Sequence, residues 1–291
     1  MNENGYSNES DFITYYACEV PTDLAAPAYS SSDKDTKQIT LDWATPESNG
    51  GCPVLGYELY RNNGENDDVV TRIDSLDNTN PSLSSHTIDL SSYGVVGRIY
   101  RFRVRCLNFA GYTDSKSTSV ALASLPSQPS SPPQSVSGIT DKTRIGVSIA
   151  TFDGTNNGGT PILIYNLQYD DGNRGGFVDI YSLSPTQTIS PVVAGAQYRF
   201  RYRAKNFNGW GPLSEISYIL AATKPSIPDP PVLQSSTADT VTMGFKPPRD
   251  SGGSAIESYQ LWYDEINEVA SFEMIKETVV LSVTVGIADG L

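Results

Sequence analysis

The segment YRFRVRCLNFAGY (Tyr100 to Tyr112) returns as YRFRYRAKNFNGW (Tyr198 to Trp210), an offset of 98 residues. Tyr-Arg-Phe-Arg, a further Arg, Asn-Phe and Gly keep their places, so the chain carries an internal repeat about one small domain long. A second signal agrees. NGGCPVLGYEL (Asn49 to Leu59), NGGTPILIYNL (Asn157 to Leu167) and SGGSAIESYQL (Ser251 to Leu261) each have Gly-Gly followed at fixed spacing by Tyr and Leu, which makes three copies. A chain of 291 residues built on such a period is a string of small modules, each with its own core.

Alternation of apolar and polar residues gives each copy its strands. ITLDW (Ile39 to Trp43), VSIAT (Val147 to Thr151) and VTMGF (Val241 to Phe245) precede the Gly-Gly runs with the period of two of a half-buried strand. In YRFRYRAKN the rule turns Tyr198, Phe200, Tyr202 and Ala204 inward and Arg199, Arg201, Arg203 and Lys205 outward. The first copy repeats this outward stripe with Arg101, Arg103 and Arg105. Seventeen Tyr, 24 Gly and 19 Pro favour strands and turns, and no helical period competes. PSQPSSPP (Pro126 to Pro133) and KPSIPDPP (Lys224 to Pro231) read as short stiff joints, because proline blocks ladder bonding and extends the chain.

The order Trp, Pro-x-x-x-Gly-Gly-x-Pro, Tyr-x-Leu, Tyr-x-Phe-x-Val-x-x-x-Asn-x-x-Gly resembles the fibronectin type III module. Its carriers are Trp43, Pro46, Gly50, Gly51, Pro53, Tyr57, Leu59, Tyr100, Phe102, Val104, Asn108 and Gly111, and the second copy repeats them from Gly158 to Gly209. The resemblance implies an all-β chain of tandem seven-stranded immunoglobulin-like β-sandwiches joined by Pro-rich linkers. It also puts Tyr100 and Tyr198 at a corner where the ring packs inward and the hydroxyl ties down a loop. Trp43 and Trp210 are expected to be structural. The second copy has Thr151 where the first has Trp43, so Phe152 or Tyr202 must fill its core. The third copy ends at GIADGL before any Tyr-x-Phe strand, which predicts a module lacking its last two strands. Shifted by 204, MNENGYSNES and the residues after it fall on Asn206, Gly209, Ser214 and Pro225, and so read as the last strand of a preceding module. The expected organisation is 1–20 for that strand, then modules over 21–125, 126–223 and 224–291, a window on a longer array.

Chemistry is sparse. The single histidine, His86, has no Cys or carboxylate pattern around it, and no Gly-x-Ser-x-Gly turn occurs, so the expectation is a protein that is not an enzyme and needs no cofactor or metal. Asp67-Asp68 and Asp170-Asp171-Gly172-Asn173 lack the closing Glu of a calcium loop and read as solvated turns. Cys18, Cys52 and Cys106 form no Cys-x-x-Cys pair and read as small half-buried module residues, with a bridge the less favoured alternative. The two arginine stripes could grip acidic sugars or a partner's carboxylates. They could equally pair with acids on neighbouring strands or stack on Trp210.

Asn8-Glu9-Ser10 is an acceptor pattern for N-linked glycan, and Ser127, Ser130 and Ser131 in the first proline joint could carry O-linked sugars. The formal charge of -13 argues against nucleic acid, and no apolar run is long enough for a membrane span. These readings point to a structural or adhesive segment of an extracellular or cell-surface repeat protein, similar to the large fibronectin type III arrays of single-celled eukaryotes. Its partners would be its neighbouring modules, further copies of itself in a filament, or other surface proteins. Spacer modules of a large secreted enzyme, or a cytoplasmic, cytoskeletal or ciliary scaffold, are the alternatives.

Overall fold

The computed structural model describes residues 2–65, 67–263 and 273–286. The first repeat contributes β1 (Ala28–Asp33), β2 (Gln38–Asp42), β3 (Gly56–Arg61), β4 (Thr71–Arg72), β5 (Ser85–Asp89), β6 (Ile99–Asn108), β7 (Gly111–Asp114) and β8 (Thr118–Ala121). β1-β2-β5 form one antiparallel sheet, and β4-β3-β6 form the other with β7 and β8 both paired to β6. β7 and β8 are thus one last strand interrupted at Ser115, whose hydroxyl accepts the Val104 amide at 3.0 Å. Counting them together gives seven strands in two sheets. Ile39 and Leu41 from one sheet and Tyr57, Leu59, Tyr100, Phe102 and Val104 from the other share a core closed by Trp43. The alternation in β6 is strict, with every second residue from Tyr100 to Asn108 buried.

The second repeat has β9 (Gln134–Ser135), β10 (Ile145–Ser148), β11 (Ile164–Tyr169), β12 (Val178–Ser182), β13 (Thr186–Ile189), β14 (Gln197–Lys205) and β15 (Ser217–Leu220). They form the sheets β13-β10-β9 and β12-β11-β14-β15. The core exchanges volume relative to the first repeat. Thr151 is exposed where Trp43 was buried, and Tyr202, fully buried at the position of Val104, fills the space and donates its hydroxyl to the Ala150 carbonyl at 3.3 Å.

The third repeat has β16 (Val232–Ser236), β17 (Thr240–Gly244), β18 (Tyr259–Tyr263), β19 (Glu273–Thr278) and β20 (Ser282–Gly286), in sheets β16-β17-β20 and β18-β19. Among the described residues no strand flanks β18 as β6 flanks β3, and a groove of about 270 Å³ opens beside Phe245, Tyr259 and Leu261. Met1 and the part of GIADGL after Gly286 lie outside the described residues.

Two compact units arise from these repeats, and they do not coincide with them. Residues up to Gln128 group with Phe152–Ile164 and Ala204–Pro212, and Pro129–Thr151, Tyr165–Arg203 and the rest from Leu213 form the other unit. The Gly-Gly turn and the Asn-x-x-Gly hairpin of the second repeat therefore group with the first repeat.

Residues 6–20 carry no strand, unlike the closing strand expected over 1–20. Phe12 and Tyr15 are 95% and 85% exposed, since among the described residues no neighbouring strand takes up the ladder bonds of this stretch. Only its hairpin survives, with Asn2 and Gly5 bonded at 2.9 Å as Asn206 and Gly209 are at 3.0 Å.

The fully buried Phe102 lies at the centre of the first core. Phe102→Ala is expected to destabilise the first repeat by about 3–5 kcal/mol, as cavity-forming aromatic truncations do. Urea unfolding followed through probes in each repeat checks this; a uniform loss in all repeats would contradict separate cores.

Candidate functional site: the clamp at each module joint

One arrangement occurs three times, where the chain enters a repeat. The Glu19, Ser124 and Thr223 amides donate to the Gly50, Gly158 and Gly252 carbonyls at 2.9, 2.9 and 2.8 Å. Three residues on, the Thr22, Ser127 and Ser226 amides donate to the Ser48, Asn156 and Asp250 carbonyls at 2.9, 3.0 and 2.9 Å. Between the two donors stands Pro21, Pro126 or Pro225, whose missing N–H costs nothing there and whose ring fixes the extended path.

Glycine is required opposite. At Gly50, Gly158 and Gly252 φ is 70°, 77° and 78°, and a Cβ would overlap the carbonyl oxygen of Glu19, Ser124 or Thr223. Behind the clamp in the first two repeats sits a buried asparagine. Asn108 Nδ2 donates to the Glu19 and Asn49 carbonyls at 2.7 and 2.8 Å, and Asn206 Nδ2 to those of Ser124 and Asn157 at 2.8 and 3.0 Å. Their Oδ1 atoms accept the Ala110 and Asn208 amides of the hairpin at 2.9 and 3.0 Å, so one side chain ties linker, turn and hairpin together.

Each joint adds its own fastening. At the first, Cys18 and Cys52 form a disulfide with a Cα–Cα distance of 5.7 Å, and the Tyr16 ring stacks on Phe109 at 3.9 Å. This corrects the reading of three unbridged cysteines: the clamp carries Cys18, one residue before Glu19, next to Cys52, one residue after Gly51. Cys106 alone is free and is buried. At the second joint Asn208 accepts the Ala121 amide at 3.0 Å and donates to the Ala123 carbonyl at 2.7 Å and to Ser32 Oγ at 3.0 Å. At the third, Lys142 Nζ meets Asp250 Oδ2 at 2.5 Å.

Tyr100 and Tyr198 bury their rings, and their hydroxyls accept the Val95 and Val193 amides at 3.0 and 2.9 Å. The arginine stripes are engaged with their own sheets. Arg103 and Arg105 pair with Asp114 at 2.5 and 2.8 Å and lie over the Tyr60 ring. Arg101 Nη2 donates to the Asp67 carbonyl. Arg199 pairs with the buried Asp170 at 2.6 Å, and Arg201 and Arg203 donate to Gln168 and Asn166 at 2.7 and 3.2 Å. The ring over which the Arg199 and Arg201 guanidinium groups lie is Phe177, whereas Trp210 receives Lys205, at 5.6 Å.

Asn8 is exposed, and so are Ser127 and Ser130, with Ser131 half-buried. The Ser127 hydroxyl donates to the Asn156 carbonyl at 3.2 Å. His86 stands 2.9 Å from Ser75 Oγ and its pKa is lowered by burial. Asp171 accepts the Asn173 and Gly175 amides, which fixes its turn. Among the described residues no group of three or more His, Cys, Asp or Glu is placed to hold a metal ion, and no helix is long and apolar enough to cross a membrane.

Gly158→Ala is expected to lower the stability of the second repeat by at least about 1–2 kcal/mol, from the left-handed backbone alone. An unchanged unfolding midpoint would show that the linker carbonyl does not press on this turn. Acid should act through the paired carboxylates. The hydrogen bond from Arg105 holds the Asp114 carboxyl below its ordinary 3.8; burial would raise Asp170, yet the bonds from Arg199 and Gly172 keep it low as well. Groups with a depressed folded pKa stabilise fully above their unfolded value, and that stabilisation is lost as pH falls through the folded one. Urea titrations between pH 6 and roughly pH 2 should therefore show a steep loss that Asp114→Asn makes shallower in the first repeat; an identical pH profile would contradict this.

No family model matches the chain. It is 26% identical over 265 residues to fibronectin type-III domain-containing protein 3A of Mus musculus, covering 89% of this chain and 21% of that protein. Titin of Drosophila melanogaster matches at 27% over 270 residues, 87% of this chain and 1% of titin. Human myomesin-2 matches at 25% over 228 residues, 75% of this chain and 14% of myomesin-2. The chain thus spans about a fifth of the length of the first of these relatives. The solved FN1-FN3 domains of chicken CNTN1 cover 91% of this chain, and 88% of theirs is covered, at 13% identity and a TM-score of 0.36, a superposition too loose to bear on how the modules are built. Repeat, strand order and named sequence relatives support one description: the chain is an all-β tandem array of modules similar to those of fibronectin type III proteins.

Proposed function

We propose that this array, with modules over 21–125, 126–223 and 224–291, is a non-catalytic spacer in an extracellular or cell-surface protein. The observation that carries the spacer reading is the threefold clamp, which spends backbone bonds and three glycines on holding each linker to the module it enters. An enzyme would concentrate its polar groups in one pocket; here the buried polar side chains Asn108, Asn206 and Asp170 are consumed by linker, turn and strand. The Cys18–Cys52 bridge supports an oxidising compartment, where structural disulfides persist. Exposed Asn8 is then an N-glycan acceptor, and Ser130 a better O-glycan acceptor than Ser127, whose hydroxyl is bonded within the joint. Partners are neighbouring modules and other surface proteins, reached along continuous chains.

Peptide mapping of the native protein should find the Cys18–Cys52 bridge and glycan on Asn8. Three free thiols with bare Asn8 would move the array inside the cell. Pulled from its two ends, a spacer of separate modules should unfold in separate steps; one undivided event would contradict the spacer reading.

A further inference from the structure

The disulfide joins positions 34 apart and closes a loop that contains the whole of β1 and β2, two of the three strands of one sheet in the first repeat. A pull on the ends of the chain reaches this repeat at Cys18 and crosses at once to Cys52 through a covalent bond. Residues between them carry no tension, so they add nothing to the length released when the repeat unfolds. The other joints lack this shunt: the places of Cys18 and Cys52 are taken by Ala123 and Thr160, then by Ala222 and Ser254. Asn208 and the Lys142–Asp250 pair fasten those joints by non-covalent contacts that part when the module opens.

Resting on the spacer reading, we propose that the Cys18–Cys52 bridge sets, according to its redox state, how far the first module extends under load. Access favours attack from one side, since Cys18 is half-buried whereas Cys52 is only 4% exposed. A thiolate of an external dithiol attacks the Cys18 sulfur, the bond to Cys52 breaks, and Cys52 leaves as thiolate. The second thiol of the reductant then attacks the mixed disulfide, freeing Cys18 and closing the reductant's own disulfide. Two electrons pass from the dithiol to the protein, and its two protons balance the two new thiols. Cys106 does not compete for these exchanges, because burial pushes its thiol up to about 11 and leaves little thiolate near neutral pH.

Fully stretched, the 34 residue steps at roughly 3.5 Å each would add about 11 nm beyond the 5.7 Å now bridged. The test is single-molecule pulling on the full chain through handles at its two ends, oxidised, with a dithiol present, and as the Cys18→Ser/Cys52→Ser variant. Reduction should lengthen one unfolding step by about 11 nm and leave the others unchanged, and the double variant should give the long step without reductant. Separate steps of the same length in both redox states, or three titratable thiols in the oxidised protein, would overturn this inference while leaving the spacer reading intact. A single undivided event would instead remove the spacer reading on which it rests.

Discussion

A linker carbonyl lying against a glycine that has no Cβ is the contact on which the rest of this array depends. It fixes where each module begins relative to its Gly-Gly turn, because the two amide bonds on either side of the proline form only in that register. Each such bond is worth only about 1 kcal/mol net, so the clamp matters less as an energy than as an address. Substituting the glycine would leave two amides and two carbonyls to find other partners, which is the costly direction of the exchange. Once the register is set, the asparagine of the hairpin finds the linker carbonyl and the turn carbonyl side by side, and it satisfies both with one amide group.

On this common frame the modules diverge where the frame leaves freedom. The core position of Trp43 shrinks to Thr151 and the space is returned by Tyr202 in place of Val104, a compensation between two sheets of one sandwich. The outward arginines keep their spacing and change their partners: a carboxylate, Asp114, holds two of them in the first module, and neutral amides hold Arg201 and Arg203 in the second. The hairpin residue that is Ala110 in the first module is Asn208 in the second, and there it reaches the last strand of the module before it. Joint-specific fastening is thus added by single residues at positions the clamp has already placed.

The strands of the first two modules were legible because a period of two survives in β6 and β14 over nine or ten residues, long enough to set both face and register. The Gly-Gly turns were legible as punctuation, though their purpose was not: nothing local to NGG shows the carbonyl that will lie on it. The signal that could have shown it is Pro21, Pro126 and Pro225, each ahead of a Gly-Gly run and each flanked by the two donors. The pairing of Cys18 with Cys52 is less legible than its alternative for the same reason, since they stand 34 positions apart and only the clamp register makes them neighbours. The stretch 6–20 matches the last strands of the other modules in sequence and still forms no strand, because alternation specifies a face and a ladder requires a partner.

The most direct test of the clamp is native-state hydrogen exchange at three amides, Glu19, Ser124 and Thr223, in linkers that sequence alone would call exposed. The account predicts that all three exchange slowly, that Ser124 is protected to the level of the second module's own strands, and that Thr223, with no asparagine behind it among the described residues, is the least protected. Exchange of all three at the rate of an unstructured proline-rich linker would contradict it.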